Sequence, residues 1–488
     1  MRPILQEVST SHSPESLVAA LAGEKGVVLL RSRQFDLPQA RYSFVTARPL
    51  VTFRSSGSAC EIRSAAGTIA LPSQQFGNPW QLLDALMSRF ELLDEMDLPF
   101  PLGGCFGYWG YDLKNFVEPK LPRKAVNDLE LPDCHVGFYG SLVVFDHRAE
   151  KVWIVATGLE ADGSRNEAKA ESELDFWAAF LKREPAESTD LPGGDARPTG
   201  DAGIRSNLTR DSFIERVRRS QAYIRTGDIY QVNLSQRFSA LWNGTAWEFH
   251  ERLTEASPAP FSAFLDCGDF QVASSSPELF LRLSGAHILT RPIKGTRPRS
   301  ADPVRDAQLT YELQTSAKEM AELVMITDLL RNDLGRVCEY GSVQVPELVR
   351  LERYAHVQHL VSTVEGRLRP DVTHFAAFAS CFPGGSITGA PKIRAMEIID
   401  ELEPVTRGPY CGAMGYLGFN RESQLSIAIR TAVLKDGEAH FHAGAGIVAD
   451  SVAEAEYDET LAKAAGYFAT VGETFRPVPT GGSTGSGR

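Results

Sequence analysis

The sequence has no Cys-x-x-Cys pair, and its seven cysteines are an odd number spread along 488 residues. This pattern matches neither a disulfide framework nor a zinc site, so we expect the cysteines to be reduced and mostly structural. No stretch approaches 18 uninterrupted apolar residues, and the opening MRPILQEVST lacks the basic and apolar regions of a secretory leader. We therefore expect a cytoplasmic protein.

Basic residues are also fewer than acidic residues. Lysine and arginine number 50 against 62 aspartates and glutamates, which gives a formal net charge of -12. A net acidic surface offers no attraction to nucleic acid or to an anionic membrane, so neither partner is expected. The hydrophobic content of 43% is enough for a large core. A binding site for a small anionic molecule would need local positive charge.

Hydrophobic periodicity predicts an α+β protein with two lobes. Residues 184–205 are rich in Pro, Gly, Asp, Ser and Thr, as expected of a linker, and residues 477–488 resemble a disordered tail. An N-terminal lobe over 1–183 and a catalytic lobe over 206–476 follow. The predicted strands are 27–30, 140–145, 152–157, 261–265, 287–291, 428–434 and 439–443, and the predicted helices are 80–93, 210–226, 316–332 and 453–467.

Lys294 follows one of these strand-like runs, in Pro292-Ile293-Lys294-Gly295. The Pro/Gly turn predicted there aims the amine into a cleft. Lysine is a nucleophile only when neutral, and keeping an ordinary lysine neutral at pH 7 costs about 4.6 kcal/mol. A site that uses it must desolvate the amine or supply a base. Taken alone, the run from Pro292 to Gly295 is also compatible with an exposed turn that has no function.

Two predicted helices each carry a Glu-x-x-Glu step, Glu319 with Glu322 and Glu456 with Glu459. Residues three apart share one helix face, so each pair points its carboxylates the same way. Magnesium prefers oxygen ligands, usually one or two carboxylates completed by substrate and water. Two facing pairs suit Mg²⁺, although such pairs also occur on solvated helix surfaces.

Glycine-rich runs occupy residues 382–392 and 443–448. Glycine lets the backbone approach a ligand and present amide groups to a carboxylate, while Thr388 and Lys392 add donors. A dicarboxylate pocket is favoured over a phosphate loop because the Gly-x-x-x-x-Gly-Lys-Ser/Thr pattern is absent. Arg430 interrupts a predicted strand and needs a counter-charge if buried. An internal salt bridge and a carboxylate clamp both remain open for it.

Taken together, several runs resemble the chorismate-utilising enzymes, and within them the component I family of aminodeoxychorismate synthases, which is related to anthranilate synthase component I. The resemblance implies two interleaved lobes with an antiparallel β-sandwich core flanked by helices. The runs that carry it are GGCFGYWGYD (103–112), YIRTGDIYQVNLSQRF (223–238), SSSPELF (274–280), PIKGTR (292–297), KEMAELVMITDLLRNDLGRV (318–337), HLVSTVEG (359–366), FPGGSITGAPK (382–392), GPYCGAMGYLGF (408–419), AIRTA (428–432) and AGAGIVADSVAEAEYDET (443–460).

The same resemblance implies roles for individual residues. Anthranilate synthases carry alanine at the position of Lys294, whereas aminodeoxychorismate synthases carry lysine. Lys294 is then the nucleophile on chorismate, and Glu278 is the general acid and base. The other implied positions are the Mg²⁺ carboxylates Glu319, Glu322, Glu456 and Glu459, and the substrate-binding residues His359, Thr388, Tyr410, Arg430, Gly444, Ala445, Gly446 and Lys463.

Partners are also implied. The chain has Gly-x-Cys-x-Gly at 103–107 but no His-x-Glu, so it lacks a complete class I glutaminase triad. Ammonia is therefore expected from a separate class I glutamine amidotransferase subunit in a heterodimer. Anthranilate synthesis, isochorismate or salicylate synthesis, and an inactive regulatory binder are the alternatives.

Two positions depart from the family pattern. Ser316 stands where an aspartate is usual, and the Leu-Leu-Glu-Ser run of tryptophan-sensing relatives reads Leu-Leu-Arg-Ser at 29–32. A regulatory tryptophan pocket between Ser32 and the run around Pro258 is a hypothesis that a tryptophan-induced melting shift would test.

Overall fold

The computed structural model describes residues 2–32, 40–64, 73–93, 96–185, 203–353, 357–472 and 475. Its strands in chain order are β1 (Ile4–Val8), β2 (Val28–Arg31), β3 (Tyr42–Thr46), β4 (Val51–Ser56), β5 (Ala59–Ser64), β6 (Gln74–Phe76), β7 (Gly104–Trp109), β8 (Cys134–Tyr139), β9 (Ser141–Asp146), β10 (Lys151–Ala156), β11 (Arg205–Ser206), β12 (Gln231–Leu241), β13 (Phe261–Asp266), β14 (Gln271–Ser276), β15 (Leu279–Ser284), β16 (His287–Arg291), β17 (Ile293–Pro298), β18 (Gln344–Arg353), β19 (Val357–Arg367), β20 (Gly389–Ala390), β21 (Ala413–Gly418), β22 (Glu422–Ile427), β23 (Thr431–Lys435) and β24 (Glu438–Ile447).

Helices lie between these strands. They are α1 (Pro14–Ala20), α2 (Pro79–Met87), α3 (Lys114–Val117), α4 (Glu167–Leu181), α5 (Arg210–Arg225), α6 (Ala246–Ala256), α7 (Pro303–Gln314), α8 (Ala317–Gly335), α9 (His374–Cys381), α10 (Lys392–Leu402) and α11 (Ala453–Val471), with 3₁₀ turns at Tyr111–Leu113 and Gly385–Ile387.

Within the described residues the strands form two 12-stranded sheets whose ladders are antiparallel. One runs β1-β10-β9-β3-β2-β13-β14-β23-β24-β12-β11, with β20 also on β12; the other runs β17-β19-β16-β15-β22-β21-β7-β8-β4-β5-β6, with β18 also on β19. The antiparallel sandwich flanked by helices that the sequence implied is thus confirmed.

The two sheets pack against each other through one large apolar cluster that draws residues from both. Phe44 of the first sheet, for example, meets Tyr416 of the second edge-to-face at 5.1 Å. Central strands such as β7, β9 and β21 are buried along their whole length, so their sequences are nearly continuous apolar runs. Smaller clusters fasten α1 and α4, α6 and α11, and α7 and α8 onto the strands.

Each sheet combines strands from both sides of the predicted linker. β2 pairs with β13 in one sheet, and β7 pairs with β21 in the other. Residues 186–202 of the linker and 476–488, which include the predicted tail, lie outside the described residues, and the domain boundaries stay predictions. None of the helices in the described part of the chain is long and apolar enough to cross a membrane.

Two element predictions need correction. The helix predicted over 80–93 ends at Met87, because Phe90 and Leu92 continue the apolar pattern from an irregular segment that packs in the core. The strand predicted over 428–434 begins only at Thr431, because Arg430 has a left-handed backbone with φ of +50°.

The seven cysteines are all buried and free. The one in the Gly-x-Cys-x-Gly run, Cys105, lies inside β7 without exposed surface, and burial raises its pKa well above the ordinary value. A thiol in this state is a poor nucleophile. The expectation of reduced, structural cysteines is confirmed for these residues.

Candidate active site

Lys294 lies on β17, beside a bulge. The register of β17 on β19 shifts between Lys294 and Thr296, which leaves Gly295 as the extra residue. Gly295 has φ of +69°, and a Cβ there would come within 2.7 Å of Leu313 on α7. The turn expected at Lys294 is therefore a bend within a strand, and only glycine allows it at this position.

The amine of Lys294 is desolvated but not isolated. Its Nζ donates to the Ser386 carbonyl oxygen at 3.3 Å. Burial lowers the pKa of Lys294, while the negative charges of Glu278 and Glu322 oppose that shift. A lowered pKa increases the fraction of neutral amine at any given pH, which is the condition that a lysine nucleophile needs.

Glu278 lies between β14 and β15 and is 7% exposed. Burial raises its pKa, and a hydrogen bond with the Ser386 side chain, the charge of Lys294 and the amide of Ile293 partly offset the rise. The carboxyl group therefore keeps its proton to a higher pH than an exposed glutamate does. An acid that holds a proton beside a desolvated amine is suited to general acid and base chemistry.

The two Glu-x-x-Glu steps lie on α8 and α11, as predicted, and one member of each is paired with a cation. Glu319 accepts from Arg297 of β17 at 2.8 Å. Glu459 pairs with Lys463 at 2.7 Å, one turn later on α11. Ser316 caps α8 by accepting from the Glu319 amide, so serine replaces the usual aspartate without loss of the cap.

Of the other two carboxylates, Glu456 is 5% exposed and Glu322 is half-buried. Burial raises the pKa of both Glu322 and Glu456, and the nearby charge of Glu459 raises each further. Ser451 donates to one oxygen of Glu456 at 2.5 Å, while its other oxygen, Oε2, is buried without a hydrogen-bond partner. The charge of Lys318 opposes both rises, while Lys294 also opposes the rise at Glu322 and Lys463 the rise at Glu456.

No ready-made group of three or more His, Cys, Asp or Glu metal ligands occurs in the part of the chain that the structure describes. Magnesium, however, is commonly held by one or two carboxylates together with substrate oxygens and water. The unpartnered oxygen of Glu456 and the coupled charges of Glu322 and Glu459 fit such an ion.

Arg430 lies in the short connection between β22 and β23. It makes no ion pair with an acidic side chain of the described residues, and burial alone lowers its pKa. After burial, its positive charge is the next cause that lowers the pKa of His359. Of the two roles left open by the sequence, the internal salt bridge is not found in the described residues, and a clamp for an external carboxylate remains.

The second glycine-rich run forms the end of β24. Gly444 and Gly446 pair with β12, whereas the pairing of β24 with β23 reaches only to Phe441. This stretch therefore has no strand neighbour on its other edge among the described residues. A Cβ on Gly444 would come within 3.0 Å of the Tyr410 hydroxyl. Ala445, between the glycines, is buried. The free edge can present amide groups, and Lys463 anchors α11 to it by donating to the Gly444 carbonyl at 2.9 Å.

The remaining predicted residues differ in how close they lie to the candidate catalytic groups. His359 is adjacent to the Lys294 bulge, approaches the Thr296 hydroxyl at 2.8 Å, and has its pKa lowered to about 4 by burial, so it is neutral. Thr388 is fully buried and donates to carbonyls of its own loop. Lys392, expected as a donor to the ligand, instead donates to Asp333 at 2.7 Å.

Sequence reasoning missed Ser386, which touches both candidate catalytic groups, and Arg297 and Ser451, which hold two of the glutamates. Ser386 lies inside the glycine-rich run that was singled out. The run offers several donors, Ser386, Thr388 and Lys392 among them, and only the folded loop shows that the Ser386 side chain bonds to Glu278.

A separate pocket lies between the two sheets. Ser32, Ser262 and Phe261 are among its lining residues, whereas Pro258 is exposed and does not line it. The hydroxyls of Ser32 and Ser262 are both buried without a hydrogen-bond partner. Two orphaned hydroxyls in one pocket fit a polar ligand there, and the tryptophan hypothesis stays a prediction.

Comparison with known proteins bears on both site and fold. The profile of the family described as "chorismate binding enzyme" matches residues 42–468. Anthranilate synthase component 1 of Acetivibrio thermocellus is 38% identical over 469 residues, which cover 95% of this chain and 93% of the relative. Aminodeoxychorismate synthase component 1 of Escherichia coli (strain K12) is 41% identical over 438 residues, covering 89% and 91%.

Among solved structures, anthranilate synthase component I from Streptococcus pneumoniae TIGR4 superposes with a TM-score of 0.75 at 32% identity, covering 89% of this chain and 93% of that one. The relatives thus divide between two reactions at similar identity. The choice between those reactions has to come from the site.

Proposed function

The chain belongs to the chorismate-binding enzymes, and from this premise we propose that it is component I of an aminodeoxychorismate synthase. The observation that carries the proposal is Lys294, a desolvated lysine next to a buried glutamic acid. Anthranilate synthases of the family carry alanine at this position, so they form no covalent bond here. The proposed reaction converts chorismate and ammonia to 4-amino-4-deoxychorismate.

In the proposed mechanism the neutral amine of Lys294 attacks C2 of chorismate. Both ring double bonds shift, the C4–O bond breaks, and Glu278 gives its proton to the departing hydroxyl, which leaves as water. Ammonia then bonds to C4 and the C2–N bond to lysine breaks. Glu278 takes up the proton that ammonia loses, and both residues return to their starting states.

The remaining residues bind and orient the substrate. We propose that Arg430, Tyr410 and the amides of the β24 edge hold the enolpyruvyl carboxylate, because Arg430 is desolvated and lacks an acidic partner among the described residues. Glu322 and Glu459 would hold Mg²⁺ on the ring carboxylate, with Glu319 and Glu456 in support. Bound Mg²⁺ supplies the positive charge that lets two carboxylate-rich surfaces meet.

Ammonia is proposed to come from a separate glutaminase. The relatives' names as component 1 support a partner subunit. This chain's Cys105 is buried inside a strand and cannot act as a glutaminase nucleophile. Addition of a class I glutaminase should make product formation depend on glutamine; if glutamine has no effect with any such subunit, the partner is wrong.

Incubation of the purified chain with chorismate, Mg²⁺ and ammonium tests the reaction. Chromatography should show 4-aminobenzoate only when an aminodeoxychorismate lyase is added. Anthranilate formed without the lyase would support the second candidate, anthranilate synthase component I, which the 38% identity to such an enzyme keeps in consideration. Isochorismate or salicylate would mean that the site directs water instead of ammonia.

A further inference from the structure

A buried ion pair lies directly behind the candidate site. Arg407 is 3% exposed and Glu403, one turn earlier in the chain, is 5% exposed. The guanidinium donates to Glu403 through Nε at 2.8 Å and through Nη2 at 2.7 Å. This geometry is bidentate, which suits the planar fork of arginine and not the single ammonium of lysine.

The rest of the Arg407 guanidinium bonds to the backbone of two segments that form the site. Its Nη1 donates to the Ile387 carbonyl at 3.2 Å, in the loop between Ser386 and Thr388. Its Nη2 also donates to the Asn233 carbonyl on β12 at 2.8 Å. Asn233 in turn donates to the Ser386 carbonyl at 2.9 Å and to the Thr388 carbonyl at 2.8 Å.

Glu403 extends the same hydrogen-bond network toward the free edge of β24 at Gly444 and Gly446. It accepts from the amide of Ser235 at 2.8 Å and from its hydroxyl at 2.9 Å. Ser235 is the cross-strand partner of Gly444, and Asn233 is the partner of Gly446. The ion pair therefore fixes the strand against which the proposed carboxylate-binding edge lies.

The third connection runs to Tyr410. Arg407 begins the turn that carries it, the Tyr410 amide donates to the Arg407 carbonyl at 3.1 Å, and the guanidinium lies 5.7 Å from the centre of the Tyr410 ring. Arg407 thus contacts three segments of the site. They are the loop whose Ser386 carbonyl accepts from Lys294, the strand β12 that pairs with Gly444 and Gly446, and Tyr410.

We propose that Arg407 and Glu403 are positioning residues that set the spacing of three chorismate-binding segments, beyond their contribution to stability. The inference rests on the proposed function, since it assumes that chorismate binds in this cleft. A buried ion pair is often replaceable by apolar residues without loss of stability. Only the forked guanidinium, however, reaches a carboxylate and two carbonyl oxygens at once.

The test compares Arg407→Lys with Arg237→Lys. Arg237 is a fitting control because it also lies on this sheet, is 8% exposed, and makes a bidentate pair with Asp128 at 2.8 and 2.5 Å. Its guanidinium bonds are directed to Asp128 and not to a segment that carries a candidate site residue. Both variants lose a buried fork, so both should lower the melting temperature.

Steady-state kinetics distinguishes a positioning role from a purely structural one. Chorismate is varied at saturating Mg²⁺ and ammonium, well below the melting temperature of each variant. Arg407→Lys should raise the chorismate KM by about 10- to 100-fold, because small displacements of positioning groups have effects of this size. Arg237→Lys should leave that KM within about twofold. The KM for ammonium should be unchanged in both.

Equal chorismate KM values in Arg407→Lys and the wild type would overturn the inference, and so would an equal rise in Arg237→Lys. If Arg407→Lys does not fold, Glu403→Gln replaces it, since this variant keeps the side-chain shape and removes the charge, and the same KM increase is expected. A wild-type chain that consumes no chorismate would instead refute the proposed function, so the two failures are distinguishable.

Discussion

Arg407 and Arg430 are close in the sequence and both desolvated, but their surroundings differ. Arg407 donates to a carboxylate and to two carbonyl groups, and the negative charge of Glu403 helps to raise its pKa. Arg430 has a left-handed backbone, no acidic partner in the described residues, and a pKa lowered by burial. A buried charged group with a structural role is paired with an opposite charge or with hydrogen-bond acceptors in the protein, and we call such a group compensated. A buried charged group that binds a ligand has no such partner in the protein, and we call it open.

The same distinction separates other groups. Lys294, Glu278 and Glu456 lie in the cleft with perturbed pKa values or an unpartnered oxygen. Lys392 with Asp333 and Arg237 with Asp128 are close ion pairs elsewhere. Removal of an open group in the cleft should therefore reduce activity without reducing stability. Removal of a compensated group should reduce stability, and it should affect activity only where the group also bonds segments of the site, as Arg407 does.

Lys294 should give the largest effect. Lys294→Ala removes the proposed nucleophile, so we expect 4-amination to fall by about a thousandfold or more, or to be redirected. The melting temperature should stay the same or rise, because a desolvated amine is lost. Product chromatography with the lyase and a thermal melt measure both. Lys294→Arg is the matched control, since it keeps the charge and lacks the nucleophile, and it should be as inactive. Unchanged aminodeoxychorismate formation in Lys294→Ala would refute the covalent route.

Glu173 on α4 is a buried carboxylate away from the cleft, and burial raises its pKa to about 7. Between pH 4.5 and 7 the folded state keeps a proton that the unfolded state releases, so this group lowers stability as the pH rises through that range. Glu173→Gln should therefore raise the free energy of unfolding by up to about 3 kcal/mol at pH 8 and by nothing below pH 4.5.

Urea titrations at the two pH values measure this effect. Glu171→Gln, an exposed substitution on the same helix, should change stability at neither pH. A Glu173→Gln variant that is less stable than the wild type at pH 8 would show that the carboxylate is compensated after all, by Lys169 at 4.0 Å and the Gly158 amide at 3.3 Å.

Arg430 tests the comparison most directly. Arg430→Gln should raise the chorismate KM by about 10- to 100-fold, since a charged hydrogen bond contributes about 1.5–3 kcal/mol. The melting temperature should not fall, because no internal ion pair is lost. Differential scanning calorimetry and chorismate titration check the two halves. A large loss of stability with normal KM would place Arg430 in the compensated class with Arg407.

The pocket between the two sheets, lined by Ser32 and Ser262, should give the smallest effect. Tryptophan at about ten times its dissociation constant would stabilise the protein by about 1.4 kcal/mol, and we expect a rise in melting temperature of about 1–3 °C. Ser262→Ala removes one orphaned hydroxyl, so it should leave the free protein equally or more stable and reduce the tryptophan shift. A melting curve that tryptophan does not move, in the wild type, would remove the hypothesis.

Apolar periodicity predicted strands and helices along most of the chain, whereas the sandwich was implied by the resemblance of the family runs. The sequence placed Glu319 and Glu456 on helix faces, since a spacing of three fixes their direction. It could not place Arg430 outside a strand, because a left-handed residue within an apolar run leaves no periodic signal. Nor could the sequence identify Ser386 and Arg407 as site residues, since their importance comes from contacts between segments that are far apart in sequence.

The interleaved sheets have a consequence for synthesis on the ribosome. When the first 185 residues have been made, β2 and β7 already exist, but β13 ends only at residue 266 and β21 at residue 418. Until then the nascent chain carries strand edges that can pair with other chains. We therefore expect either half expressed alone to aggregate, and the second sheet to be completed only after β21 has been synthesised.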